Sequence, residues 1–295
     1  VAELPAIETA YYDRLNGQEF FNVRAMGAVG NGTVDDTEAL EDAKAAAYAS
    51  GGVIYLPAGT YGINFTNSSP TFGWYFNQAI RIQGAGIGRT TIRNLSTSAA
   101  GLRFGVGSIF LSDLTIDQNN STGNGLIVSG QYSDVRNVQV VNQAGAGYAL
   151  VVNGATLSTF DNIQVNNTSN GVSIGPTLPT NYLVFKQLSI EPASGRALSI
   201  VTGTGINFYG LYLEPTGTAG DLERMIFIDN STVINIFGFA CELGGTHTLT
   251  DAAYFELNNT RDMTVAGTYI NHEGTASKTL FHLTGTTTAN LNLLS

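Results

Sequence analysis

The sequence predicts an all-β solenoid, in which the chain coils around one long core and each turn stacks on the turn before it. Three observations predict this fold. A seven-residue pattern recurs along the chain, the distance between its copies is regular, and the composition suits short strands joined by tight turns. A unit repeated at a fixed spacing is the signature of repeat architectures, whose stability comes from stacking neighbours.

The repeated pattern reads apolar, any, Asn- or Gly-like, apolar, any, apolar, polar. Its copies begin at Leu111, Val135, Phe160, Phe185, Phe208, Ile236 and Val265. The third position predicts a sharp corner with left-handed backbone angles, which Gly and Asn tolerate best. It is occupied by Asp113, Asn137, Asn162, Gly210, Gly238 and Gly267. We expect the phenylalanines at the first position to stack inside the solenoid, as core and not as a sugar platform.

The length of one coil follows from a second set of apolar residues, the first inward residue of each turn. These residues recur every 22 to 29 positions, at Leu102, Leu126, Leu150, Val172, Leu198, Ile226, Phe255 and Phe281. Three short strands and three turns need about this many residues. The spacing therefore predicts a three-sided coil of parallel strands.

Composition and charge exclude several classes of function. Only 12% of the 295 residues are charged, the formal net charge is −10, and the chain has three lysines. Nucleic acids and anionic membranes bind clustered cations, so we expect neither as a partner, and no apolar run is long enough for membrane insertion. The single cysteine, Cys241, lies at an inward position, which predicts a buried, inert thiol.

The N-terminal part lacks the repeat. We expect a lead-in or linker over 1–19 and the solenoid over 20–295, with a short N-terminal capping helix at about 36–49 and coils from about 53. Asp35 and Asp36 precede the Ala-rich helical run, and Glu38 stands three residues after Asp35, the spacing of a capping box. Capping is therefore the preferred interpretation over a catalytic or metal-binding pair, and Gly51 and Gly52 end the helix.

The opening of the chain resembles a known family. Gly27-Ala28, 30–37 (Gly-Asn-Gly-Thr-Val-Asp-Asp-Thr), 51–61 (Gly-Gly-Val-Ile-Tyr-Leu-Pro-Ala-Gly-Thr-Tyr) and 80–92 look like the opening of pectate-lyase-superfamily parallel β-helices, as carried by phage tailspikes and depolymerases. The resemblance covers about residues 20–93. It implies a right-handed, single-stranded parallel β-helix, a homotrimer, a place in the virion tail, and action on a bacterial surface polysaccharide. A secreted bacterial protein is the alternative.

Strand alternation places a row of glutamates on the outside of the solenoid. If Leu188 and Ile190 point inward, Glu191 points outward, and the same register places Glu214 and Glu242 outward on the next two coils. Adjacent coils lie about 4.8 Å apart, so the three carboxylates should stack and repel one another. Repulsion favours retention of a proton on one of them, and glycosidic cleavage needs one protonated and one ionised carboxyl group.

These glutamates, here called the carboxylate column, are the predicted catalytic residues of a glycoside hydrolase-type depolymerase. Tyr212 and Tyr209 are predicted substrate-binding residues that could stack on a sugar, and Asp229 is a further candidate on another face, paired with Glu256. A solvated or cation-bridged row of glutamates is the structural alternative. A glycan-binding or fibre protein without activity is the functional alternative.

Other chemistries are less well supported by the sequence. The three histidines, His247, His272 and His282, lie on different local patterns, and we expect no metal and no cofactor. A polysaccharide lyase is the remaining enzymatic alternative, with Arg196 and Arg224 in the loops that flank the carboxylate column. Because the repeat pattern runs to the last residues, we expect further polypeptide or partner chains to cover that end.

Overall fold

The fold is described from a computed structural model that covers residues 19–64, 73–97, 100–192, 195–214, 225–243, 253–272, 279–284 and 290–294. Most of the predicted lead-in and the whole 215–224 segment, with Arg224, lie outside these residues, as does His247. Within the described ranges, no helix is long and apolar enough to cross a membrane.

The residues described above include one α-helix, α1 (Thr37–Ser50), which lies close to its predicted bounds. It ends at Gly51, whose left-handed backbone (φ 75°) lets its N–H donate to the Ala47 carbonyl at 2.8 Å. Leu40 on the inner face of the helix is buried in the core that fills the solenoid. Its role as a cap of the solenoid stays a prediction.

The helix start differs from the predicted capping box. The residue at the N-cap position is Asp36, and its side chain makes no capping hydrogen bond. Asp36 is buried instead, and its carboxylate accepts the N–H groups of Val29 at 2.7 Å and Gly62 at 3.2 Å. Asp35 Oδ1 accepts the N–H of Thr37 at 3.0 Å. The pair is structural, but Asp36 fastens the loop to a strand and does not cap the helix.

Strands make up the rest of the described fold. They are β1 (Phe20–Asn22), β2 (Asn31–Asp35), β3 (Val53–Leu56), β4 (Gly59–Ile63), β5 (Trp74–Phe76), β6 (Ile80–Gly84), β7 (Thr90–Asn94), β8 (Leu102–Phe104), β9 (Ile109–Asp117), β10 (Leu126–Val128), β11 (Asp134–Val141), β12 (Tyr148–Val152), β13 (Thr156–Thr168), β14 (Asn170–Ile174), β15 (Thr180–Pro192), β16 (Leu198–Ile200), β17 (Gly203–Leu213), β18 (Ile226–Asp229), β19 (Thr232–Leu243), β20 (Ala253–Asn258), β21 (Arg261–His272), β22 (Thr279–Thr284) and β23 (Leu291–Leu294).

The strands form two parallel sheets that run along the solenoid. The first sheet is ordered β1-β3-β6-β9-β11-β13-β15-β17-β19-β21-β23, with β2, β4 and β7 beside this path, and the second is ordered β22-β20-β18-β16-β14-β12-β10-β8-β5. Strands that neighbour in a sheet are separated in sequence by about one coil. The predicted all-β parallel solenoid is therefore confirmed, whereas its right-handedness stays a prediction.

The observed register confirms the predicted coil length. Leu126 pairs with Leu102 and with Leu150, and the series continues through all eight predicted inward positions to Phe281. The predicted phenylalanine stack is also confirmed as core. The rings of Phe160 and Phe185 lie 4.7 Å apart and those of Phe185 and Phe208 lie 4.9 Å apart, all fully buried.

The corner column, defined as Asp113, Asn137, Asn162, Gln187, Gly210, Gly238 and Gly267, bends each long strand of the first sheet. All seven residues have positive φ, between 50° and 79°. In the earlier coils the side chains form a ladder, in which Asn162 donates to Asn137 and Asn137 donates to Asp113, each at 3.0 Å. The left-handed corner is confirmed, and the sequence pattern missed only Gln187.

Candidate active site on the first sheet

The carboxylate column lies on the outside of β15, β17 and β19, one residue beyond a continuous run of paired inward positions. Leu213 pairs with Ile190 on one side and with Cys241 on the other. The residues that follow these three are Glu191, Glu214 and Glu242, so the glutamates stand at the same level on three consecutive coils. The backbone N–H of Glu214 donates to the Ile190 carbonyl at 3.0 Å, which extends the hydrogen bonding between β15 and β17 to Glu214.

Tyr212 lies on the outside of β17, two residues before Glu214, and makes a hydrogen bond with that glutamate. Its hydroxyl donates to Glu214 Oε2 at 2.5 Å. This hydrogen bond, followed by partial burial and by the negative charges of Glu214 and Glu242, raises the pKa of Tyr212 well above its ordinary value. Tyr212 is therefore a neutral hydrogen-bond donor that holds Glu214 in one orientation. The sequence predicted Tyr212 as a stacking residue and gave no sign of this contact.

A groove of about 580 Å³ runs along the solenoid beside the carboxylate column. One side is the corner column, and the other is an outward column formed by Gln164, Ser189, Tyr212 and Ala240. Glu191 lines the groove as well, and Ser189 Oγ donates to Glu191 Oε1 at 3.4 Å. Glu191 and Tyr212 therefore both line the groove. Glu214 contacts a groove residue through its hydrogen bond with Tyr212.

Tyr209 lies before the corner, on the other arm of β17. Its ring stacks on that of Phe237 from the next coil, with 5.4 Å between ring centres and 16° between planes, and 48% of the residue is exposed. Phe237 is half-buried, so Tyr209 is the exposed aromatic residue of this pair. Neither ring lines the groove itself.

Asp229 lies on β18 of the second sheet and does not line the groove. Its Oδ1 accepts the side-chain N–H of Asn258 from the next coil at 2.9 Å. Glu256, predicted to point outward beside it, pairs in register with Phe227 and is buried. The structure therefore places this candidate pair apart from the carboxylate column.

Cys241 and Arg196, the other residues considered from the sequence, pack against the protein and do not line the groove. Cys241 is buried, as predicted, and burial with the nearby charge of Glu242 raises the pKa of its thiol to about 12. The guanidinium of Arg196 lies 4.7 Å from the ring centre of Phe227 on the second sheet, which removes it from the groove. Among the described residues, no cluster of three or more His, Cys, Asp or Glu side chains could hold a metal ion.

Sequence reasoning identified Asn162, Gly210 and Gly238 only as corner residues, and Leu188 and Leu211 only as inward residues. It gave no site role to four further groove residues: Gln164, Gln187, Ser189 and Ala240. Three of them occupy the outward position between the two inward residues of the repeat, and Gln187 is a corner residue. Alignment of the repeats by register, instead of by residue type, would have placed Gln164, Ser189 and Ala240 in the outward column of Tyr212 and Gln187 in the corner column. These residues could therefore have been found from their position in the repeat, but not from their residue type.

Comparison with known proteins supports the parallel β-solenoid fold and the resemblance of the chain opening to pectate-lyase-like proteins. Residues 20–103 match the model of the family described as rhamnogalacturonase A/epimerase, pectate lyase-like. The mannuronan C5-epimerase AlgE4 of Azotobacter vinelandii is 29% identical over 172 residues, which are 51% of this chain and 31% of that protein. The chain thus spans less than a third of the length of this relative.

Two solved structures are similar over nearly the whole chain. ORF18 of Geobacillus virus E2 has a TM-score of 0.60 at 18% identity, with 97% of this chain and 63% of that chain covered. The A-module of mannuronan C5-epimerase AlgE6 from Azotobacter vinelandii has a TM-score of 0.52 at 18% identity, with 93% and 98% covered. The chain is a parallel β-solenoid. Its N-terminal segment carries a pectate-lyase-like domain, which confirms the resemblance seen in the sequence.

Proposed function

We propose that the chain binds a bacterial surface polysaccharide in the groove of the first sheet and hydrolyses it with the carboxylate column. The observation that carries this proposal is the 2.5 Å hydrogen bond from Tyr212 to Glu214, at the level where Glu191 and Glu242 stand on the flanking coils. A phenol held between carboxylates is an orienting contact. Its position beside an open groove supports a reactive site over a solvated row of charges.

The reaction assigns different roles to the carboxyl groups. Glu191, which lines the groove, is the proposed general acid and donates a proton to the glycosidic oxygen as its bond to the anomeric carbon breaks. Glu214, oriented by Tyr212, is the proposed base that removes a proton from the attacking water, or the nucleophile that attacks the carbon directly. Glu242 contributes negative charge beside them, and Tyr212 is a positioning residue.

Replacement of Glu214 tests the proposed hydrolysis. The Glu214→Gln variant keeps the size of the side chain and one oxygen that can accept the Tyr212 hydrogen bond but removes the charge, so cleavage of capsular polysaccharide or lipopolysaccharide should fall by about 10²- to 10⁴-fold. The measurement is the release of new reducing ends, with Glu38→Gln, an exposed carboxylate on α1, as the control. Undiminished cleavage by Glu214→Gln would contradict the assignment.

The similarity to mannuronan C5-epimerases is the specific observation that favours a second candidate, uronate chemistry by a lyase or epimerase. A lyase would leave an unsaturated uronate with characteristic ultraviolet absorbance, and an epimerase would leave the chain length unchanged. Arg196, the described arginine suggested for the lyase alternative, packs on Phe227 of the second sheet. Binding of polysaccharide with neither chain shortening nor sugar modification would identify a receptor-binding or fibre protein.

Assembly and location belong to the same proposal. We propose a homotrimer in the tail of a virion, with a secreted bacterial protein as the alternative. The support is the shape shared with ORF18 of Geobacillus virus E2, together with the resemblance of the chain opening. The molar mass in solution, measured by light scattering, would distinguish a trimer of the 31.1 kDa chain from a monomer.

A further inference from the structure

Along the solenoid the residue type in the corner column changes from asparagine to glycine, whereas the backbone stays left-handed. Asn137 and Asn162 have φ of 50°, and Gly210 and Gly238 have φ of 79° and 70°. All four residues are thus left-handed corners of equivalent strands. The earlier coils carry side chains at this position and the later coils carry none.

Packing does not require the glycines of the later coils. A Cβ atom added to Gly238 would meet the backbone of Gly210 at 3.7 Å, and one added to Gly210 would meet the backbone of Gln187 at 3.7 Å. These are ordinary van der Waals distances. A Cβ atom therefore fits at both corners, and asparagine, which tolerates left-handed angles better than most residues, occupies the same corner in earlier coils. What glycine changes is the groove, which both residues line.

The groove is bridged at one end and open towards the other. In the coil of Asn162, the side-chain N–H of Gln164 donates to Asn162 Oδ1 at 3.3 Å and so joins the two sides of the groove. Two coils later Gly210 faces Tyr212, and three coils later Gly238 faces Ala240. The side chains that bridge the groove in the earlier coil are therefore replaced by an open space in the later ones.

The lining of this space indicates the chemistry of its ligand. Gly210 and Gly238 on one side of the groove and Ala240 on the other add no polar side chain, and the amides of Asn162, Gln164 and Gln187 and the hydroxyl of Ser189 give neutral hydrogen-bonding groups. Among the described lining residues there is no lysine or arginine, and Glu191 is the acidic one. Sugar rings have an apolar C–H face and a rim of hydroxyl groups. A uronate in the same place would find no cation to pair with its carboxylate, whereas a neutral sugar needs none.

We infer that Gly210 and Gly238 open a subsite for an uncharged sugar unit, and that the Asn162–Gln164 bridge closes the groove beyond it. This inference rests on the proposed function, because it describes the substrate of the same groove. It makes the two glycines specificity residues. A chain of neutral sugars lies along the solenoid over the later coils, and its path ends at the bridged coil.

The test is to fill the subsite with asparagine, the residue that occupies the same corner in earlier coils. Gly238→Asn adds an amide at a left-handed corner, and Gly88→Asn is the matched control, with φ of 71° and no atom within 4 Å of an added Cβ. Both variants and the wild type are applied to an array of bacterial surface oligosaccharides that includes neutral and uronate-containing glycans. The wild type should bind neutral glycans, Gly238→Asn should bind them at least tenfold more weakly, and Gly88→Asn should bind normally.

Two results would overturn the inference. One is normal binding of neutral glycans by a folded Gly238→Asn variant, and the other is a wild type that binds uronate-containing glycans alone or no neutral glycan. If Gly238→Asn does not fold, Ala240→Gln fills the same space from the opposite side, where Gln139 and Gln164 already occupy the equivalent position. The same tenfold loss is expected for this variant, and normal binding by it would overturn the inference.

The binding measurement is independent of the proposed chemistry. If Gly238→Asn loses binding while Glu214→Gln cleaves normally, the subsite stands and the catalytic assignment is wrong. If Glu214→Gln loses cleavage while Gly238→Asn binds normally, the catalytic assignment stands and the subsite is wrong.

Discussion

The coils that carry Asn137 and Asn162 and the coils that carry Gly210 and Gly238 have the same backbone and different outer surfaces. In both regions a left-handed corner bends a long parallel strand, and leucine, isoleucine, valine or phenylalanine fills the interior. In the earlier region an amide ladder covers the corner, whereas in the later region the corner is bare and Tyr212 stands beside it. The comparison separates what the fold requires from what is left available for binding.

This separation has a physical basis. Inward side chains are fixed by close packing, and the corner is fixed by backbone angles, but outward side chains on a solenoid have few neighbours that constrain them. A groove can therefore be built or filled by changing outward residues alone, without moving the scaffold. Rigid support with variable outer residues is the usual arrangement for binding surfaces.

The largest expected effect tests whether the two regions share one core. Phe160 belongs to the earlier coils and Phe208 to the later coils, and each stacks on Phe185. Phe160→Ala and Phe208→Ala should each lower the free energy of unfolding by about 3–5 kcal/mol, because each removes a fully buried ring and leaves a cavity. Urea unfolding measures both values.

The two losses should agree to within about 1 kcal/mol, since the buried environments are equivalent. A small loss in one region and a large loss in the other would show that the interior, and not only the surface, differs between them.

A smaller effect is expected from the amide ladder. Asn137→Ala removes two hydrogen bonds and places alanine at φ of 50°, so the free energy of unfolding should fall by about 2–3 kcal/mol. Asn137→Gly removes the same hydrogen bonds but accepts the backbone angle, so it should lose about half as much. The difference between the two variants, measured by urea unfolding, isolates the contribution of the corner. Equal losses would mean that the left-handed angle adds nothing at this position.

Much of the fold could be predicted from the sequence because it depends on periodicity. Leu126, Leu150 and Val172 were identified as equivalent inward residues by their spacing alone, and the observed register pairs them in order. The stacked phenylalanines and the buried Cys241 followed from the same alternation. The outward level of Glu191, Glu214 and Glu242 followed as well, because side-chain direction in a strand is set by position.

Contacts between side chains could not be predicted in the same way. The hydrogen bond from Tyr212 to Glu214 joins residues two positions apart, and it depends on rotamers that periodicity does not define. The bridge between Gln164 and Asn162 has the same origin. Asp36 shows the converse, since a local capping signal was overridden by long-range hydrogen bonds to Val29 and Gly62.

A crystal structure with a bound neutral oligosaccharide, selected by its binding to the wild-type protein, tests the central claim most directly. The account predicts sugar density over Gly210 and Gly238, within hydrogen-bonding distance of Glu191, and stopping before the coil of Asn162. Sugar bound on the second sheet near Asp229, with the groove of the first sheet empty, would contradict it.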